Sequence, residues 1–235
     1  MKHTKKLCNE DLANKKNLQS LVNDGRFRVA IFGSARITHE DTLYQEIADL
    51  ATTLAKNNFD IVTGGGPGAM EAAAFGHQRA TLGQESSKAI GINIELPFEQ
   101  IPNKYLDFTE TTSTFSARLD TFMLLSHVFI VTKWGIGTLL ELFYTWQLMQ
   151  VGHICKTPII LWGEGYKELK KFLRDEVLEA GYMSEKDYEL TMQVESMDNV
   201  LQLVKMAHTH YEKAGKNACV NINQYIAGAK NLGLI

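Results

Sequence analysis

From Phe27 onward, short apolar runs alternate with longer segments of helical periodicity, and this alternation limits the possible folds more than any other feature. The runs FRVAIFG, FDIVTG, KAIGINI, YLDFTET, HVFIVT, TPIILWG and YELTMQV are of strand length, and several are unbroken stretches rich in β-branched residues. A strand without a polar face has to be covered on both sides. Between the runs, residues 39–57, 68–81, 114–125, 136–151, 166–180 and 197–214 carry helical patterns. Strands joined by helices of this length can pair in parallel, because each connection is long enough to cross over. The expected fold is therefore α/β: a Rossmann-like, doubly wound, mostly parallel sheet of about seven strands with helices on both faces.

Only four prolines occur and no linker-like tract interrupts the pattern. One domain is expected over 27–235, with a C-terminal helical extension and, before it, a polar Lys-rich arm at 1–26 that has room for one short helix. A chain that is 45% hydrophobic can bury one substantial core. A net charge of −3 argues against a nucleic-acid polymer as partner. The longest apolar patch, FMLLSHVFIV, is too short and interrupted to cross a membrane. The opening MKHTKKLCNEDLANKK has no apolar segment of the secretory kind. Cys8, Cys155 and Cys219 are far apart and form no CxxC pair. That spacing argues against a disulfide framework or zinc cluster and for a reducing, cytoplasmic setting. No HExxH pair occurs, and His208 and His210, two residues apart, are poorly placed to ligate from one helix face, so no metal is expected.

Open parallel sheets bind ligands beyond the carboxyl ends of their strands. Three of the turns there are unusual: GSAR after the first strand, TGGGPGAM after the second and TKWGIGT after the fifth. The second turn places Gly64, Gly65, Gly66 and Gly68 between a strand and a helix. Glycines let backbone N–H groups approach an anion, and the helix N-terminus adds partial positive charge, which suits a phosphate or carboxylate. Met70 and Glu71 follow on the first turn of that helix. Glu71 is placed either to contact a ribose or to favour the helix N-terminus electrostatically. The relaxed dinucleotide pattern Gly64-x-Gly66-x-x-Ala69 follows the second strand rather than the first, with no acidic residue at the required distance, and no GxxxxGK[ST] run exists. Beside such a loop, Gly33, Ser34 and Arg36 become phosphate or base contacts. Asn93 and Glu95 lie at a strand end, where they can frame the pocket.

In the third turn, Gly135 and Gly137 open a helix on which Thr138 and Glu141 share a face. Arg118 is at helical spacing with Phe115 and Phe122, and an inward-facing Arg needs an anionic partner, which Glu141 or a substrate phosphate supplies. Trp134 occupies a turn where a small residue is expected. It can remodel the turn, serve as a stacking platform for a base with Lys133 adding charge, or pack against a neighbouring helix.

The pieces FGSARI, VTGGGPGAMEAA, GINIELPFEQ with NKY shortly after, FSAR and GIGTLLEL together resemble the Lonely Guy family, also labelled lysine decarboxylase-like, across more than half of the chain. That resemblance implies a nucleotide phosphoribohydrolase, which splits a nucleoside 5′-monophosphate into free base and ribose 5-phosphate without a metal or redox cofactor. By motif, it makes Arg118 and Glu141 the catalytic pair, and it assigns Gly64, Gly65, Gly66, Gly68, Gly135, Gly137 and Thr138 to the phosphate cradle. It also implies a homodimer or larger homo-oligomer. The chain departs from the family pattern at Lys133-Trp134-Gly135, where Pro-Gly-Gly is usual, at Leu119 after the Arg, and at His127. Related members resemble molybdenum-cofactor carriers, so a non-catalytic nucleotide- or cofactor-binding protein on the same scaffold is the alternative.

Overall fold

The computed structural model describes residues 16–81, 87–96, 101–214 and 221–235. Seven strands are present: β1 (Arg28–Phe32), β2 (Asp60–Thr63), β3 (Ala89–Ile94), β4 (Phe108–Thr112), β5 (Val128–Val131), β6 (Ile159–Trp162) and β7 (Thr191–Val194). They form one sheet in the order β4-β3-β2-β1-β5-β6-β7, and every neighbouring pair is parallel. All seven apolar runs become strands. β1, β2, β5 and β6 are buried at every position, as unbroken β-branched runs demand. Strand β4 alternates partly buried and exposed residues because it lies at the sheet edge.

The helices among the described residues are α1 (Lys16–Asn23), α2 (Thr42–Lys56), α3 (Ala69–Thr81), α4 (Phe115–Leu125), α5 (Ile136–Gln150), α6 (Tyr166–Phe172), α7 (Glu185–Tyr188), α8 (Met197–Ala214) and α9 (Ile222–Asn231). Helix α6 runs directly into a π-helical turn, Leu173–Leu178, within a segment whose periodicity reads as one continuous helix. Helices α2 and α3 pack closely because Gly76 has no side chain: a Cβ there would lie 2.0 Å from the Ala48 carbonyl oxygen. Thr52 bridges the same contact, its hydroxyl donating to the Gly76 carbonyl at 2.7 Å.

Both ends of the described chain reach the core. Leu18 and Leu21 of α1 are buried, so the part of the polar arm that is described anchors through two leucines. Ile222, Tyr225, Ile226 and Ala229 of α9 are also buried, and the Tyr225 hydroxyl donates to the Leu203 carbonyl on α8 at 2.8 Å. None of the helices is long and apolar enough to cross a membrane, among the described residues. Cys155 is disulfide-bonded.

Candidate functional site

The strand order reverses between β1 and β5. After β1 the chain winds outward through β2, β3 and β4, then returns to place β5 on the other side of β1. At such a point the connections leave in opposite directions and a crevice opens beyond the carboxyl ends of the two strands. The three unusual turns meet here, held by the main chain. Thr132 N–H donates to the Phe32 carbonyl at 2.8 Å, Ser34 N–H to the Lys133 carbonyl at 3.1 Å, and Ala69 N–H to the Ser34 carbonyl at 3.0 Å. Ser34 thus links all three turns without using its side chain, whose Oγ accepts from the Arg36 N–H at 3.2 Å.

The glycine-rich loop needs its glycines at specific places. Gly65 and Gly68 have φ of +72° and +70°, a region that disfavours side chains. A Cβ on Gly68 would also lie 2.5 Å from the Ser34 carbonyl oxygen. Asn103, from the NKY segment, clamps the loop from outside. Its Nδ2 donates to the Gly65 and Gly66 carbonyls at 3.2 and 3.1 Å, and its backbone N–H donates to the Gly65 carbonyl at 2.9 Å. Nothing in the NKY motif itself marks this asparagine for the role, since the contact spans more than thirty residues.

Arg118 and Glu141 do meet, with Nη1 3.1 Å from Oε1, and both side chains are about nine-tenths buried. Helix α4, capped by the Thr114 hydroxyl accepting from Ala117 N–H at 3.2 Å, carries the arginine inward. The guanidinium also donates through Nε to the Ile92 carbonyl of β3 at 2.8 Å and lies 5.3 Å from the Phe122 ring centroid. Phe115 is 53% exposed, so the expected inward stripe begins at Arg118 rather than at Phe115. Loss of hydration pushes the Glu141 carboxyl up to about 7, against the opposing pull of Arg118. A carboxyl with that pKa exchanges protons near neutrality, as general acid or base work requires.

The Lys133-Trp134-Gly135 turn is formed without strain. Among the described residues only Asn58 has positive φ without being glycine, and Gly135 itself is extended, with φ −120° and ψ −174°. Trp134 makes packing contacts and is still 36% exposed, so one part of the ring packs and another is open to a stacking partner. Its ring meets Tyr166 edge to face at 4.4 Å, and a Cβ on Gly165 would lie 3.1 Å from the indole. Tyr166 in turn donates its hydroxyl to the Thr132 carbonyl at 2.6 Å, which braces the turn from beneath. Thr138 is buried, and its hydroxyl accepts from the Gly135 N–H at 3.4 Å. Gly137 faces open space, where a Cβ would touch nothing.

The remaining candidates surround this centre. Gly33 lies close under the first turn, where a Cβ would be 2.3 Å from Thr132 Oγ1. Met70 packs beside Gly64, with its sulfur 2.6 Å from where a Cβ would be. Arg36 and Lys133 are exposed. Glu71 is 3.7 Å from the exposed His39 imidazole, a partner the sequence did not suggest. His127 is remote from the crevice, at the amino end of β5, where its Nδ1 accepts from the Arg28 N–H at 3.1 Å and its ring stacks on Phe27. A cavity of about 590 Å³ opens at that same far edge, bordered by Phe27, Phe59, His208 and Tyr211. Its cationic side chain, Arg26, is already engaged by the buried Asp60 at 2.7 Å. The crevice at the strand reversal holds the donors and the titratable pair, and it is the candidate site.

A family described as "Possible lysine decarboxylase" matches residues 69–204, from the glycine-loop helix into the first half of α8. No curated protein shows significant similarity. Among solved structures, the molybdenum cofactor binding protein of Rippkaea orientalis is similar, with 22% identity and a TM-score of 0.58, covering 77% of this chain and 96% of its own. The molybdenum cofactor carrier protein of Chlamydomonas reinhardtii is 21% identical with a TM-score of 0.57, covering 78% of this chain and 99% of its own. At these identities the likeness is one of fold.

Proposed function

The chain belongs to the possible lysine decarboxylase family, the group to which the Lonely Guy resemblance pointed, and from that premise we propose that it hydrolyses the N-glycosidic bond of a nucleoside 5′-monophosphate. The observation that carries the reading is the buried Arg118–Glu141 pair beside the glycine loop, with the carboxyl poised near neutral pH. The 5′-phosphate is held by the N-termini of α3 and α5, with Arg36 and Lys133 adding charge. Breaking the C1′–N bond builds positive charge on the ribose, which a nearby carboxylate stabilises. Glu141 takes a proton from water, the water oxygen bonds to C1′, and the bonding pair departs with the base. The base takes a proton from solvent, giving free base and ribose 5-phosphate. Arg118 orients Glu141 and keeps enough of it ionised to act.

A homodimer fits this reading. Ile136, Leu140 and Phe143 recur at helical spacing on α5 and are 85%, 44% and 41% exposed, with Phe115 of α4 also exposed. Such a stripe beside a site supports burial against a second copy.

Carriage of a nucleotide or of molybdenum cofactor is the second reading. It is favoured by the fold shared with the two cofactor proteins and by the altered Lys133-Trp134 turn. One experiment separates the two: incubation with AMP, GMP, CMP, UMP, IMP and a prenylated AMP, following free base and ribose 5-phosphate by chromatography. Release by the wild type that vanishes in Glu141→Ala supports the hydrolase. Absence of release from every nucleotide by folded protein overturns it in favour of the carrier.

A further inference from the structure

Gly64 and Gly65 are sandwiched between two polar side chains. A Cβ on Gly64 would lie 2.0 Å from Arg118 Nη2, and one on Gly65 would lie 2.0 Å from Asn93 Oδ1. Asn93, near the carboxyl end of β3, is therefore the counterpart of Arg118 across the loop, yet it forms no ion pair and belongs to neither half of the proposed catalytic pair. It is 5% exposed. Its Oδ1 is sealed from solvent and accepts no hydrogen bond among the described residues, and its Nδ2 is on the side farther from the loop, 3.0 Å from where a Gly65 Cβ would lie against 2.0 Å for Oδ1.

This orientation has a physical reason. Oδ1 rests against the Gly65 Cα, where a C–H···O contact is favourable; the reversed amide would press N–H donors against that C–H group. The amide therefore turns its NH₂ outward with both donors unspent. Donors that face the open side of the loop are hydrated in the free protein, and a ligand oxygen can take the place of that water.

The position narrows the choice of oxygen. Arg118 touches both the Ile92 carbonyl, one residue before Asn93, and Glu141. If Glu141 works at the C1′–N bond, Asn93 lies on the C1′ side of the ribose. Charged donors and helix termini suit the phosphate, while a neutral amide suits a neutral hydroxyl. We propose that Asn93 Nδ2 donates to the ribose 2′-hydroxyl oxygen and distinguishes ribonucleotides from 2′-deoxyribonucleotides. The proposal rests on the hydrolase reading and deepens it.

The test is a cycle between protein and substrate. Wild type, Asn93→Leu and Asn93→Ala are compared on AMP and GMP and on the 2′-deoxy form of each, measuring kcat and KM for base release. Dissociation constants for the same nucleotides are measured in the Glu141→Ala background, where turnover does not interfere. Asn93→Leu keeps the side-chain shape while removing both the donor and the acceptor, so the 2′-hydroxyl has no partner there, and thermal unfolding verifies that each variant is folded. In the wild type, the ratio of ribo to deoxy kcat/KM should exceed that of either variant by about tenfold, the effect of one neutral hydrogen bond that leaves a buried group unpaired when lost. Comparing ratios cancels the greater intrinsic lability of deoxynucleosides. Base release with the same ratio in wild type and both variants overturns the role of Asn93 and leaves the hydrolase standing. If the folded wild type neither releases base nor binds any of these nucleotides, the hydrolase falls and the Asn93 proposal falls with it.

Discussion

Glu141 makes a prediction that does not depend on knowing the substrate. Its carboxyl has an ordinary pKa of 4.5 and is raised to about 7 in the folded chain by burial. Between those values the folded state holds a proton that the unfolded state has released. Stability therefore declines as pH rises through this window, and the contribution is complete below about 4.5. Each unit is worth about 1.4 kcal/mol, so the full change is roughly 3 kcal/mol. Only about a tenth of the side chain is exposed, so solvent screening discounts the figure little. In Glu141→Gln the group no longer titrates, and Arg118 loses its partner by the same amount at every pH in the range. Urea unfolding of both proteins at pH 5, 6, 7 and 8 isolates the term. The stability of the wild type relative to the Gln variant should fall by roughly 3 kcal/mol between the acid and neutral limits, or about 6 to 12 °C in midpoint temperature. A difference that stays flat from pH 5 to pH 8 would show that Glu141 is solvated, or so firmly paired that burial does not raise its pKa.

Three further outcomes follow from the same geometry. If the ionised carboxylate is the active form, kcat/KM for base release should rise with pH to a plateau above about 7, and Arg118→Met should move that limb upward because the charge that lowers the pKa is gone; a limb that does not move refutes the coupling. Asn103→Ala removes two side-chain bonds to the glycine-loop carbonyls and should weaken nucleotide binding by about tenfold, read by calorimetry, with little change in midpoint temperature. Trp134→Gly should cost roughly 2 kcal/mol of stability, since the packing on Tyr166 and Gly165 is lost, while base release stays within about tenfold of wild type; collapse of turnover in a stably folded variant would point to the stacking role.

The sheet was legible because its central strands are continuous apolar runs, a pattern few other structures tolerate. Even the weaker run at β4 was placed, its mixed character now explained by the sheet edge. Helix α1 was harder to see, because Leu18 and Leu21 are only two apolar anchors in a polar segment and periodicity over so short a stretch carries little information. Helical spacing turned Arg118 inward toward an anionic partner, Glu141 or a phosphate, and the family motif paired it with Glu141; twenty-three residues separate the two, and only the fold closes the 3.1 Å contact. The state of Trp134 was not legible. Whether an indole fits a turn depends on its φ and on what lies beneath it, here Tyr166 from a later strand–helix connection. The left-handed conformation of Asn58 and the π turn after α6 also leave no clear mark in composition.

The three turns are joined through main-chain atoms, with Ser34 as the common member. A hydrogen bond from peptide to peptide is indifferent to the side chain it passes. Substitutions at residues 34, 133 and 134 can therefore accumulate while the crevice keeps its shape, provided that Gly65 and Gly68 with positive φ and the close-packed Gly33 and Gly64 remain. A lineage can in this way exchange one turn sequence for another and retune what the crevice accepts without refolding it. The scaffold is conservative in its peptide groups and permissive in its side chains, which is the condition under which one architecture diversifies its ligands.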